Sequence, residues 1–569
     1  MKNYYILLLL FIITTGCVNK PAAIEKGEFS EGRHIISKHG MVVSAHPQGS
    51  RIGLSILQEG GNAVDAAVAT GFALAVCYPE AGNIGGGGFM VIRNSDGKAD
   101  VIDYREKAPL KASRDMYLDD DGNVIGGLST DAYLSAGVPG SVDGLIKAHS
   151  DFGILSFRKV IQPAIDLAKN GFPVTAEQAQ SLNRNREYFI KKNKNRPPFV
   201  RETEWKEGDI LIQTDLAETL ERIRDVGRDG FYAGKTSELI LEEMERGGGL
   251  ITEKDLSEYR SVSRKPLVTN YKDYILISVP PPSGGGIILF QLLGMVESFP
   301  LKEWGFHSVE AIHLITEAEK RVYADRAEFS GDQDFVNIPV DDLLNHNYLE
   351  ERLSDFNMNI ATPSSEIKAG SPGGYVSEET THYSVVDNFG NAVSVTTTMN
   401  NTFGSSIVVD GAGFLLNNEM DDFSVKPGVP NMFGLTGGEA NSIEPGKRML
   451  SSMTPVIVEK DGKLFLVAGS PGGSTIPTSV FQVIINVIEH NMSIGEAVDT
   501  GRFHHQWQPD WISYEANSLD SLTLLELRQM GHETKLRPTI GQVNAIQFLP
   551  DGVLKGGADK RGYNTACGY

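Results

Sequence analysis

Residues 379 to 404, ETTHYSVVDNFGNAVSVTTTMNNTFG, constrain the fold more tightly than any other stretch of this chain. Two runs of alternating apolar residues, HYSVVD and NAVSVTTT, flank the turn sequence DNFGN, the pattern of an antiparallel hairpin. Centring the turn on Phe389 makes opposing residue numbers sum to 778, so that Thr380 faces Thr398. Opposed residues point to one side of a sheet with Cβ atoms about 4.5 to 5.5 Å apart. Asn400 falls on that side too if the second strand continues. A slip of one residue would turn every side chain over, so the inference rests on the five-residue loop.

A threonine hydroxyl inside a chain is a poor nucleophile. At a chain's N-terminus its own α-amine, with a pKa of about 7.7 to 8.0, can act as general base. Cleavage between Glu379 and Thr380 would create that arrangement. The preceding residues 361 to 379, ATPSSEIKAGSPGGYVSEE, are rich in Ser, Pro and Gly and form the best linker candidate in the sequence.

A length of 569 residues allows two to four domains or one large intertwined one. The net charge of −21 argues against a nucleic-acid binder, whose affinity rests on Lys and Arg, and directs attention to a small-molecule or peptide partner. The start, MKNYYILLLLFIITTGC, has an apolar run too short to span a bilayer and reads as an export signal over residues 1–16. Its Gly16-Cys17 junction resembles a bacterial lipoprotein cleavage site with Cys17 lipidated. Thr14 departs from that pattern, and ordinary signal cleavage nearby is the alternative. The three cysteines have no metal-ligand spacing. Cys77 reads as a packing residue, with a bridge to Cys567 left open.

The order of elements is mixed α and β. MVVSAHPQGSRIGLSILQEGGNAVDAAVATGFALAVCYPE predicts a strand, a helix, a GG turn and an all-apolar core helix. NIGGGGFMVI predicts a buried strand after a glycine run. That run lacks the Lys-Ser/Thr of a phosphate loop and reads as a turn or close backbone packing. DLAETLERIRDVG pairs Asp215 with Glu218 as a capping signal, and residues 184 to 209 read as a charged surface segment. HSVEAIHLITEAEKRVYADRAEF predicts an amphipathic helix. Beyond residue 380 strands follow at SIVVD, TPVIVEKDGKLFLVAG and QVNAIQFLPDGVLKGG, with helices at TSVFQVIINVIEH and SIGEAVDTGRFHH. Adjacent His504 and His505 do not face one another on a helix and have no third ligand, so packing is the reading there rather than metal.

TTHYSVVD, NNTFG, LLNNEMDDFS, KPGVPN, RMLSSMTP, GSPGGS and RFHHQW together resemble the γ-glutamyltransferase (glutathione hydrolase) family of N-terminal nucleophile hydrolases, from about residue 35 to Tyr569. The resemblance implies an α+β fold, a four-layer αββα sandwich formed jointly by two subunits. It implies self-cleavage before Thr380, giving a large subunit, 17–379, and a small one, 380–569. Thr380 would be the nucleophile and Thr398 its hydroxyl partner. Arg105 in DYREKAP, with Ser451 and Ser452, would bind the α-carboxylate of a γ-glutamyl substrate such as glutathione. Asn400, Glu419 and Asp422 would receive its ammonium. Gly472 and Gly473 would form the oxyanion hole, and Phe433 would stand in the lid loop where some relatives have Tyr. Acceptors would be water, amino acids or peptides, with no cofactor, in the cell envelope or periplasm. The alternatives are a relative acting on cephalosporin side chains or poly-γ-glutamate, and a catalytically silent surface lipoprotein.

Overall fold

The computed structural model describes residues 29–368 and 380–569. Eight strands of the two main sheets come from the first segment: β1 (Ser30–Gly32), β2 (His34–Ser37), β3 (Met41–Ser44), β4 (Gly87–Arg93), β5 (Ala99–Asp103), β6 (Val262–Arg264), β7 (Leu267–Tyr271) and β8 (Tyr274–Ser278). Seven come from the second: β9 (Thr381–Val386), β10 (Ala392–Thr398), β11 (Val456–Lys460), β12 (Lys463–Gly469), β13 (Asn544–Phe548), β14 (Leu554–Ala558) and β15 (Thr565–Gly568). One sheet runs β1-β15-β3-β9-β10-β4-β5-β6, the other β2-β14-β13-β12-β11-β8-β7. The pairings are antiparallel, and strands from both sides of Thr380 alternate in each sheet.

Period-two alternation divides the core into three layers of contact. In β4, Met90 and Ile92 join a cluster under helices α1 (Pro47–Gln58), α2 (Ala63–Cys77), α3 (Phe157–Asn170), α4 (Ala176–Lys192) and α5 (Thr214–Val226). Phe89 and Val91, on the other face, meet Ile457, Val467 and Ile546 of the second sheet. The outer face of that sheet, through Leu276, Val458 and Leu466, packs on helices α6 (Gly285–Val296), α7 (Val309–Phe329) and α8 (Ile476–Ile488). The result is a four-layer αββα sandwich, as the resemblance implies.

The hairpin has the expected register, with Thr381 opposite Thr397 and Tyr383 opposite Val395. Tyr383, Val385, Val393 and Val395 face the helices, so Thr380, His382, Thr396 and Thr398 belong to the seam between the sheets. The glycine run packs backbone on backbone. A Cβ on Gly85 would lie 2.0 Å from the carbonyl oxygen of Leu415, and one on Gly86 2.0 Å from that of Thr398.

Several expectations are corrected. Helix α4 extends into the charged segment, because Leu182 and Phe189, seven residues apart, share a face that packs inward. Helix α5 starts at Thr214 with Gln213 as its N-cap, so Asp215 lies within the first turn and forms no capping pair. SIVVD is not a strand but a tight loop, closed by Val409 N–H to Phe414 O at 2.9 Å. GRFHH leaves the helix at Asp499, and Phe503–His504 forms a short strand. Helix α7 is not amphipathic: Ala311 through Ala327 are buried all round, charged residues included. Three of them are matched within the helix, Glu317 to Lys320 at 3.0 Å and to Arg321 at 2.7 Å. Cys77 and Cys567 are both free and buried.

Candidate active site

Thr380 sits directly ahead of β9 at the end of the inter-sheet seam, and Thr398 closes β10 beside it. The Thr398 carbonyl accepts from Asn83 Nδ2 at 2.9 Å, which ties the strand end to the glycine run. Strand β10 ends at Thr398, so the condition under which Asn400 would share its face is not met. Asn400 has φ of 77°, a left-handed conformation that Asn tolerates better than most residues. That turn aims its N–H at Thr398 Oγ, 2.8 Å away, and its side chain at the Asn418 carbonyl, 3.0 Å away.

Arg105 follows β5 and is wholly buried. Its Nη1 lies 2.6 Å from Glu419 and 3.4 Å from Glu106, and its Nη2 pairs with Asp422. Nε donates to the Met449 carbonyl at 3.3 Å and Nη2 to that of Leu450 at 3.2 Å. Each of the five N–H donors of the guanidinium therefore has an acceptor nearby. Burial pushes Glu106 up to about 7 and Glu419 well above the usual carboxylate range, with Arg105 opposing both. Burial raises Asp422 as well, while Arg105 and Arg326 pull it back toward the ionised form.

Ser451 and Ser452 are held by the PPPSGGG turn. Ser451 N–H donates to Pro282 O at 2.9 Å, and Gly284 N–H donates to Ser451 O at 2.8 Å. Ser451 Oγ accepts from Met453 N–H at 3.0 Å, whereas Ser452 Oγ is buried without a hydrogen-bond partner among the described residues. After β12 the chain turns through Gly472 (φ 133°) and Gly473 (φ 48°), conformations that need glycine. Tyr323 of α7 donates its hydroxyl to the Ser474 carbonyl and fixes this turn from below.

These elements line a small, partly open cavity whose wall includes Thr380, Thr398, Asn400, Arg105, Asp422, Ser451, Ser452 and Gly473. Of the expected residues, Glu419 stands behind Arg105 and Gly472 behind Gly473, neither on the wall. Phe433 is on it, with its carbonyl held by Gln506 Nε2 at 3.2 Å. Sequence reasoning missed Arg326, which also lines the cavity. Its only signal was helical phase, since Tyr323, Arg326 and Ser330 fall three and four residues apart. Glu379 and Cys17 lie outside the described residues.

His504 bonds to Thr478 at 2.8 Å and His505 to Asp510 at 3.2 Å, so the two rings serve separate networks. His313, Glu317 and His532 lie close enough to hold an ion. Yet His313 Nδ1 bonds His532 Nε2 at 2.7 Å, and Glu317 is committed to Lys320 and Arg321. This cluster is a satisfied core network.

Two antiparallel sheets stacked between helical layers, with a threonine heading an inner strand and a polar cavity at its tip, define the fold of the N-terminal nucleophile hydrolases. The family model described as gamma-glutamyltranspeptidase matches residues 49–569, and the chain belongs to that family. It is 48% identical over 537 residues to the glutathione hydrolase proenzyme of Escherichia coli (strain K12), covering 94% of this chain and 92% of that one. The crystal structure of Helicobacter pylori gamma-glutamyltranspeptidase matches at 45% identity with a TM-score of 0.55, over 57% of this chain and 94% of that chain. The cephalosporin acylase of Bacillus halodurans shares the fold over 95% of this chain and 97% of its own, with a TM-score of 0.83 at 24% identity. Among the described residues no helix is long and apolar enough to cross a membrane.

Proposed function

We propose that this protein cleaves the γ-glutamyl amide bond of glutathione and related compounds through a γ-glutamyl-threonine intermediate, passing the group to water or to an amino acid or peptide. The observation that carries the reading is one cavity holding a threonine pair, a buried arginine, a facing aspartate and an unpartnered serine hydroxyl. A γ-glutamyl head group carries a carboxylate and an ammonium on one carbon, and this charge pattern is its complement.

In the proposed cycle the chain is first cut between Glu379 and Thr380, dividing it into subunits 17–379 and 380–569. The freed amine of Thr380 takes the proton of its own hydroxyl, and Oγ attacks the γ-carbonyl. Thr398 orients that hydroxyl. Arg105, Ser451 and Ser452 hold the α-carboxylate; Asp422, Glu419 and Asn400 hold the ammonium. Backbone N–H groups at Gly472 and Gly473 stabilise the oxyanion, an effect worth about 3 to 4 kcal/mol per donor. The amine then protonates the departing cysteinylglycine, and water or an acceptor amine releases the acyl group. The start of the sequence, a short apolar run ending at Gly16-Cys17, supports export, with Cys17 as the proposed lipid anchor.

Purified wild type and Thr380→Ala test the reading through intact masses and turnover of L-γ-glutamyl-p-nitroanilide. Wild type should give two chains, the smaller starting at Thr380, and release nitroaniline; the variant should stay whole and inactive. A wild type that persists as one inactive chain would overturn it. The mass of the larger chain also reports whether Cys17 is acylated.

A further inference from the structure

Helix α7 brings a second guanidinium to the cavity. Arg326 is 7% exposed and lines the wall with Arg105, Asp422 and Ser452. Its Nε is buried without a hydrogen-bond partner, and its side chain forms no ion pair among the described residues. A buried, unmatched cation is costly, and burial does pull its pKa down, opposed by Tyr323 and Asp422. Arginine nonetheless stays charged in proteins.

The contrast with Arg105 is one of donor accounting. Arg105 already donates to Glu106, Asp422 and the carbonyls of Met449 and Leu450 and forms an ion pair with Glu419, so an incoming carboxylate must compete with groups it holds. Arg326 gives up nothing. The neighbouring Ser452 Oγ is likewise unpartnered, so two free donors face one small space. Buried donors without a partner call for an explanation, and an acceptor entering the cavity supplies one.

We propose that Arg326 is a second guanidinium for the α-carboxylate of the γ-glutamyl donor, the one whose donors are free before substrate arrives, acting with Ser452. Arg105 keeps its place on the carboxylate beside it while also pairing with Glu419 and Asp422. Arg326 thereby sets the specificity for donors that carry an α-carboxylate. This rests on the γ-glutamyl reading above.

Three p-nitroanilide donors separate the groups: γ-glutamyl, 4-aminobutanoyl (no α-carboxylate) and glutaryl (no ammonium). Arg326→Gln should raise KM for the γ-glutamyl and glutaryl donors by about 10- to 100-fold, the scale of one charged hydrogen-bond pair. For the 4-aminobutanoyl donor kcat/KM should stay within about twofold of wild type, and Arg326→Lys should recover part of the loss. Equal losses on all three donors would assign Arg326 a structural role. Losses confined to the two ammonium-bearing donors would mean that it acts through Asp422; either result overturns the proposal. Chain cleavage is followed on gels, with Arg326→Met as a further replacement. Failure of all three variants to mature also marks the residue as structural. If wild type does not turn over the γ-glutamyl donor, the underlying reading fails, whereas donor-independent losses in an active background sink this inference alone.

Discussion

At the scale of single residues, the site depends on backbone conformations as much as on side chains. Gly472 at φ 133° and Gly473 at φ 48° present their N–H groups from a turn no L side chain enters cheaply. Gly472→Ala should therefore lower kcat by about 100-fold or more with little change in KM, as measured on the γ-glutamyl anilide. Asp421 accepts from Ser129 Oγ at 2.6 Å and from Met432 N–H at 2.9 Å, and burial pushes its carboxyl up to about 6. Between the ordinary carboxylate range and pH 6 the unfolded chain releases a proton that the folded one keeps, so this group makes stability fall as pH rises. Asp421→Asn should remove up to about 3 kcal/mol of that slope between roughly pH 4 and 6, read as the difference in Tm between variant and wild type across the window. Thr380 and Thr398 were legible in the sequence because strand parity needs only a turn and an alternating pattern. Arg326 was not: an arginine in YADRAEF looks solvated until the fold shows what covers the helix.

At the scale of elements, legibility followed how local the determining interactions are. The register of β9 against β10 was written in the DNFGN turn and the alternation beside it. SIVVD had the composition of a strand but pairs only with the chain a few residues on, through the single bridge Val408 to Leu415. Helix α7 misled because its charged residues are neutralised by partners distant in sequence, Arg321 by Asp355 at 2.7 Å and Asp325 by Arg352 at 3.0 Å. Burial pushes Glu317 up, but Lys320 and Arg321 outweigh it and hold the carboxyl down at about 2. Its contribution is thus full above pH 4.5 and lost as pH falls toward 2. Glu317→Gln should cost about 3 to 5 kcal/mol at neutral pH, seen in thermal or urea melts, and the cost should shrink on acidification. The loop around Phe433, expected as the lid, offers a ring without a hydroxyl. Phe433→Tyr should tighten closure and raise the ratio of transfer to hydrolysis, measured with a dipeptide acceptor; an unchanged ratio would count against it.

At the scale of the whole molecule, cutting before Thr380 would leave two chains that share both sheets. Strand β15 lies between β1 and β3, and β9 with β10 between β3 and β4. The chains should therefore co-elute on size exclusion and melt in one transition, separating only in denaturant; dissociation in native buffer would contradict the topology. Sequence length alone permitted several domains, and nothing local announced that strands hundreds of residues apart would alternate.

That alternation has a kinetic consequence. The uncut chain folds by a first-order process, its strands tethered at high effective concentration. Once the bond is severed, the way back from the unfolded state becomes a second-order encounter between two pieces, each exposing sheet edges that favour aggregation. Maturation would then work as a ratchet: the active form can be reached from the precursor, while its recovery after denaturation depends on dilution and should fail where the precursor succeeds.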